Sequence, residues 1–174
     1  MKIMQVVHSF PPHTMAGTEV YAYNLSKELS KEHEVFVFFR INAPKEKEYS
    51  LSHNRLDGMD TYAINRTFRR CDSFEATYND ALIDEKFREL LDKIKPDIVH
   101  IQHLLFLSCG IIDEIKKRNI PIVYTLHDYW LRCYRGQLIK DDLSICSGDS
   151  PSECLRCLKY LFSLNIIQSL SIHE

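Results

Sequence analysis

Ile3-Met4-Gln5-Val6-Val7-His8, Ile98-Val99-His100-Ile101-Gln102-His103 and Ile122-Val123-Tyr124-Thr125-Leu126-His127 are three short apolar runs, and each ends on a histidine. Each run leads into a loop and a more helix-like stretch, which is the pattern of strands in a parallel sheet. In such a sheet the carboxyl ends of the strands share one edge, and ligands bind in the crevice there. The expectation is that His8, His103 and His127 converge on one cleft although they are far apart in sequence.

The rest of the chain fits that frame. Lys2 to Val7 reads as a buried first strand, and Pro11-Pro12 then fixes an extended turn that cannot continue a ladder. Gly17-Thr18-Glu19 opens a helix to about Lys31, with Thr18 as cap, Glu19 in the first turn and Tyr21, Leu25 and Leu29 on one face. Val35-Phe36-Val37-Phe38-Phe39 is too apolar for anything but a sheet interior. Residues 41–58 are polar and broken by Pro44 and Gly58, so a surface excursion is expected, with a further strand at Thr61 to Ile64. A helix from about Asn79 to Lys95 carries Ile83, Phe87, Leu90, Leu91 and Ile94 inward and stops at Pro96. Strands at Asp97 to His103 and from Pro121 to His127-Asp128 flank a helix from Ser108 to Asn119. Alternation at this spacing predicts an α/β fold: a Rossmann-like, doubly wound parallel sheet flanked by helices with right-handed crossovers. The expected organisation is one domain over 1–174, with the sheet core in about 1–128. Residues 129–174 form a cysteine-containing loop and a helix opened by the capping box Ser150-Pro151-Ser152-Glu153 and carrying Leu155, Leu158 and Phe162 along one side.

Composition narrows the function classes. The 174 residues are 45% hydrophobic and 26% charged, with few glycines and prolines, and this suits a folded domain with a sizeable core. A net charge of −2 argues against nucleic acid as the main partner. The first residues do not form a signal peptide, because Gln5 interrupts a short apolar stretch. Tyr160 to Ile167 is well short of a bilayer span. A cytoplasmic location is expected, and the six cysteines are not taken as a disulfide framework.

Four constellations could carry chemistry. A strand, a turn through Ala16, Gly17 and Thr18, and a helix start together make an anion site, because free backbone N–H groups and the helix dipole point outward. The same glycine could simply make the turn. The histidine edge offers imidazoles able to serve as base, donor or metal ligand, whereas His100, alternating within its strand, reads as a core histidine with a satisfied hydrogen bond. Cys154 and Cys157 stand at i and i+3 on the last helix, and Cys133 and Cys146 on the preceding loop could complete a structural zinc tetrahedron; the alternative is inert thiols. Trp130, Arg132, Tyr134 and Arg135 could hold a phosphate or stack on a sugar. Arg66, Phe68, Arg69 and Arg70 form a basic-aromatic patch that could touch an anionic membrane or be a solvated face.

Val7-His8-Ser9-Phe10-Pro11-Pro12 followed by Ala16-Gly17-Thr18-Glu19-Val20 resembles the opening of the family 4 retaining glycosyltransferases, which have the two-domain GT-B fold. Pro96 to Leu104 and Pro121 to Trp130 resemble two further segments of the same N-terminal domain, and Cys133 to Leu138 resembles a subset of the family. The resemblance implies sugar transfer from a nucleotide-diphosphate donor to an acceptor hydroxyl (of a sugar, a lipid-linked or another acceptor) with retention and no essential metal. It places Ala16, Gly17 and Thr18 near the donor phosphates and His127 at the reaction centre. His8, His103, Asp128 and Arg135 fall on the substrate side. Ala16 departs from the glycine pair usual at that turn.

The resemblance also implies a second, nucleotide-gripping domain in cis or trans that these 174 residues do not contain. The expected role is therefore the acceptor-side half of a transferase, excised or separately encoded, and inactive alone. The competing readings are a non-catalytic binding or scaffolding domain that pairs with another chain, and an α/β enzyme that holds a metal at His8, His103 and His127.

Overall fold

A computed structural model describes residues 1–68, 73–140, 142–148 and 150–157. Six strands form one sheet in the order β3-β4-β2-β1-β5-β6. They are β1 (Lys2–Val7), β2 (Glu34–Ile41), β3 (Leu51–Leu56), β4 (Met59–Asn65), β5 (Ile98–Ile101) and β6 (Ile122–Tyr124). The helices are α1 (Gly17–Leu29) after β1, α2 (Ala81–Ile94) before β5 and α3 (Gly110–Lys116) before β6. All pairings are parallel except β3 with β4. The parallel strands thus run outward from β1 in both directions, β2 then β4 one way and β5 then β6 the other. That is the doubly wound order, and its direction reverses between β1 and β5.

The strand interiors explain the layering. Val7, Val35, Val37, Phe39, Ile41, Met59 and Ala63 pack with Phe10 and Ala22 of α1 into one cluster. On the opposite parity Phe38 meets Phe87 of α2 with ring centroids 5.1 Å apart. Burial of such a phenylalanine stabilises the fold by about 2–3 kcal/mol. The apolar pattern fails at one place: Gln5 of β1, paired in register with His100 of β5, and Gln102 beyond β5 put polar groups inside the sheet.

The structure departs from the sequence-based expectation in several ways. Residues 41–58 are not only a surface excursion. Leu51–Leu56 pairs antiparallel with β4 through the two-residue turn Asp57-Gly58, and both turn residues have positive φ (47° and 85°) as a type I′ hairpin requires. The sheet is therefore mainly parallel with one antiparallel edge. Thr18 does not cap α1: Ala16 occupies the cap position and no side chain accepts there. Ala22 and Ser26 form its buried side together with Glu19, whereas Tyr21 is exposed. Strand β6 ends at Tyr124, because it is an edge strand held by β5 alone.

The chain divides into two units at His127–Asp128. In the second, Ser150 Oγ accepts from the Glu153 N–H at 3.4 Å, as the capping box requires, and residues 151–157 are helical. The expected continuation through Leu158 and Phe162 toward Ser171 lies outside the described residues. Gly136 is the only buried residue among those described in 128–157.

Arg66 is not part of a solvated patch. It is 5% exposed, pairs with Asp80 at 2.9 Å and Glu48 at 3.0 Å, and lies under the rings of Tyr49 and Phe68. Arg69 and Arg70 lie outside the described residues. Asp80 also caps α2 by accepting from the N–H groups of Leu82 and Ile83. Asp80→Ala removes a helix cap and one partner of a buried guanidinium, so unfolding in urea should show a loss of about 2–4 kcal/mol. Asp80→Asn, which keeps the cap acceptor, should lose less.

Candidate functional site at the strand-order reversal

His8 is the residue after β1, His103 lies two residues beyond β5 and His127 three beyond β6, so all three stand at carboxyl ends of neighbouring parallel strands. The rings of His8 and His103 meet edge to face, with centroids 4.7 Å apart. His8 Nε2 lies 3.1 Å from Glu19 Oε1. Glu19 is only 3% exposed, and Thr14 donates to the same oxygen at 3.4 Å. His103, 5% exposed, accepts the Leu105 N–H on Nδ1 at 3.0 Å, which fixes its ring. His127 Nε2 stands 2.8 Å from Gln102 Oε1, and its ring meets Tyr21 of α1 at 5.0 Å. The amino end of α1 therefore touches the site twice, through Glu19 in its first turn and Tyr21 in its second.

Ala16, Gly17 and Thr18 form the start of that helix. The first intrahelical bond runs from the Val20 N–H to the Ala16 carbonyl, which leaves the earlier amides without helical acceptors. Gly17 is not among the residues with positive φ, and a Cβ built on it would meet nothing within 4 Å. Neither the backbone nor the packing of this chain requires glycine there.

The remaining sequence-predicted residues belong to the second unit. Asp128 Oδ1 accepts the Trp130 N–H at 2.9 Å and so shapes the turn after His127. Gly136 (φ 73°) closes on the same carboxylate: a Cβ there would come within 2.6 Å of it. Arg135 Nη1 donates to Cys157 Sγ at 3.6 Å. Cys133, Cys146, Cys154 and Cys157 are free thiols. Among the described residues no group of three or more His, Cys, Asp or Glu side chains is arranged to hold a metal ion. The backbone N–H of Cys146 donates to the Leu138 carbonyl at 2.7 Å, and the Cys157 sulfur accepts from Arg135. One ring nitrogen of each of His8, His103 and His127 bonds to Glu19, Leu105 and Gln102 respectively.

Sequence reasoning missed Glu19 and Gln102 as site residues. Glu19 was legible only as a favourable first-turn acid, and nothing in a helical pattern tells which way one carboxylate turns. Gln102 had a signal: a polar residue inside an otherwise apolar run. His100 is half-buried and has the satisfied hydrogen bond expected of it, with Nε2 2.8 Å from Thr125 Oγ1.

The sequence pattern of Glycosyltransferase Family 4 matches residues 15–144, so the chain belongs to that family. A stretch of 49 residues, 28% of the chain, is 35% identical to an uncharacterised 42.6 kDa protein of the cps region of Klebsiella pneumoniae. The chain spans 13% of that protein. Among solved structures it is similar to sucrose-phosphate synthase from Thermosynechococcus elongatus, with TM-score 0.52 and 15% identity over 77% of this chain and 35% of that one. The apo structure of OtsA gives 0.42 and 13% over 73% and 33%. The first likeness shows the fold, a Rossmann-like domain of the GT-B type. No helix among the described residues is long and apolar enough to cross a membrane.

Burial, with His127 nearby, holds the His100 imidazole below the ordinary histidine value. Below about pH 6.5 the unfolded chain binds a proton at this position that the native state resists, so stability falls as pH drops. His100→Gln removes that component. Urea unfolding between about pH 7.5 and pH 5.5 should therefore show a shallower loss in the variant, and equal slopes would contradict the assignment.

Proposed function

We propose that the crevice at the carboxyl ends of β1, β5 and β6 is the sugar-transfer site of a retaining glycosyltransferase, with this chain as its acceptor-side half. The observation that carries the reading is the meeting of His8, His103 and Glu19 beside the amino end of α1, with Tyr21 of the same helix against His127. It lies where the strand order reverses, the place at which open α/β sheets bind ligands.

The chemistry follows from what the groups can do. The amides at Gly17 and Thr18, together with the positive end of α1, receive the diphosphate of a nucleotide-sugar donor. Glycine at 17 lets an oxygen come closer to the backbone than any side chain would allow. The bond from the anomeric carbon to diphosphate oxygen breaks while the acceptor oxygen bonds on the same face, and the acceptor proton leaves with the diphosphate. His127 stands at the donor sugar, where an imidazole stabilises charge that develops in the transition state. His8, His103, Asp128 and Arg135 serve the substrate side, and the acceptor offers a hydroxyl on a sugar or a lipid-linked carrier. The nucleotide is held by a second GT-B domain in cis or trans, so the 174-residue chain alone does not turn over. The reaction is cytoplasmic and needs no metal.

Titration of the isotope-labelled chain with nucleotide-diphosphate sugars should move the amide resonances of residues 17–19 and the His127 ring together. Gly17→Ala should weaken those movements without lowering folding stability by more than about 0.5 kcal/mol, because the added Cβ enters open space. If neither set of resonances moves with any donor, the assignment of the crevice fails.

A further inference from the structure

We infer that Gln102 is a positioning residue that fixes the imidazole of His127 with its proton on Nε2, leaving Nδ1 as the ring's acceptor. The inference rests on the reading of His127 as a site residue, but its physical basis is separate. Gln102 is fully buried, and its two amide ends are used differently. Its Nε2 donates to Gln5 Oε1 at 3.0 Å and lies 3.3 Å from His100 Nδ1. Its Oε1 faces His127 Nε2 at 2.8 Å. An amide oxygen can only accept, so the nitrogen opposite it must carry the hydrogen.

The chain of control runs inward from the site. Gln5 lies in β1, whose register against β5 pairs it with His100. Gln5 Oε1 sets the orientation of the Gln102 amide, and the Gln102 oxygen sets the tautomer of His127. Tyr21 on α1 meets the His127 ring, and burial together with His127 holds the His100 imidazole on β5 below the ordinary histidine value. With its hydrogen on Nε2 directed at the Gln102 oxygen, the neutral ring carries its lone pair on Nδ1. A neutral ring held in this way does not donate to an oxyanion.

The test is the proton itself. In the chain labelled with nitrogen-15 at histidine, above the titration range of imidazole, His127 should show nitrogen shifts of an Nε2–H ring and a resolved, exchange-protected Hε2 resonance. Gln102→Leu should lose that protected resonance, and Gln102→Glu, which keeps an acceptor oxygen at the same place, should retain it. An Nδ1–H ring in the unmutated chain overturns the inference without any variant having to fold. A protected Hε2 that survives in folded Gln102→Leu overturns it too. Failure of nucleotide-diphosphate sugars to perturb the His127 ring would remove the reading of the crevice but leave this proton in place, so the two failures are distinguishable.

Discussion

The seam between β1 and β5 governs the molecule. Strand order runs away from this seam in both directions, so a crevice opens at its carboxyl end. The two strands are joined there by a side-chain bond as well as by the ladder, since the amide of Gln102 donates to Gln5 within a fully buried setting. A buried amide without a partner costs about 1–3 kcal/mol, so removing one member of this pair is penalised more than the bond's net worth. The same bond that closes the sheet interior reaches His127 one contact later.

Glu19 shows how the helix adds to what the strands supply. It occupies the first turn of α1, where the helix dipole favours negative charge, yet it is turned inward and buried. One carboxylate oxygen meets His8 and Thr14, and the other is buried without a partner among the described residues. A carboxylate withdrawn from water is tolerated only where hydrogen bonds and positive potential offset its desolvation. The helix start and the His8 ring provide both. The turn at residues 16–18 and the buried acid share one field: the positive end of α1, to which the proposed site assigns the donor phosphates, is also the end at which Glu19 lies.

Much of this was legible in the sequence, and the boundary is physical. Continuous apolar runs mark strands covered on both faces, so β1, β2 and β5, and the histidines that follow β1 and β5, were readable from the sequence pattern. Strand β3 was not, because Leu51-Ser52-His53-Asn54-Arg55-Leu56 is a polar edge strand with little to bury. Only Asp57-Gly58 betrays it, and there the turn chemistry outweighs the polar composition. The cap of α1 was misassigned because a threonine near a helix start suggests capping, whereas position relative to the first hydrogen bond decides it. Arg66 looked like surface because its partners, Glu48 and Asp80, are 18 and 14 residues away. Direction of side chains about a helix, and pairing at long range, are the information a one-dimensional pattern lacks.

Register joins stability to chemistry. Side chains alternate faces with period two, so Val99 and Ile101 lie on one face of β5 while His100 and Gln102 lie on the other. A slip of one residue against β1 would carry the valine and isoleucine to the amide side and put the histidine and glutamine into the apolar layer. The unpaired polar groups would oppose that slip more strongly than the loss of ladder bonds. The polar pair at the seam thus selects the register in which His8 and His103 stand side by side. An apolar replacement at Gln5 and Gln102 together could preserve the core while freeing the imidazoles from one another. The sheet would gain packing by that exchange, and the crevice would lose the fixed spacing from which its chemistry is derived.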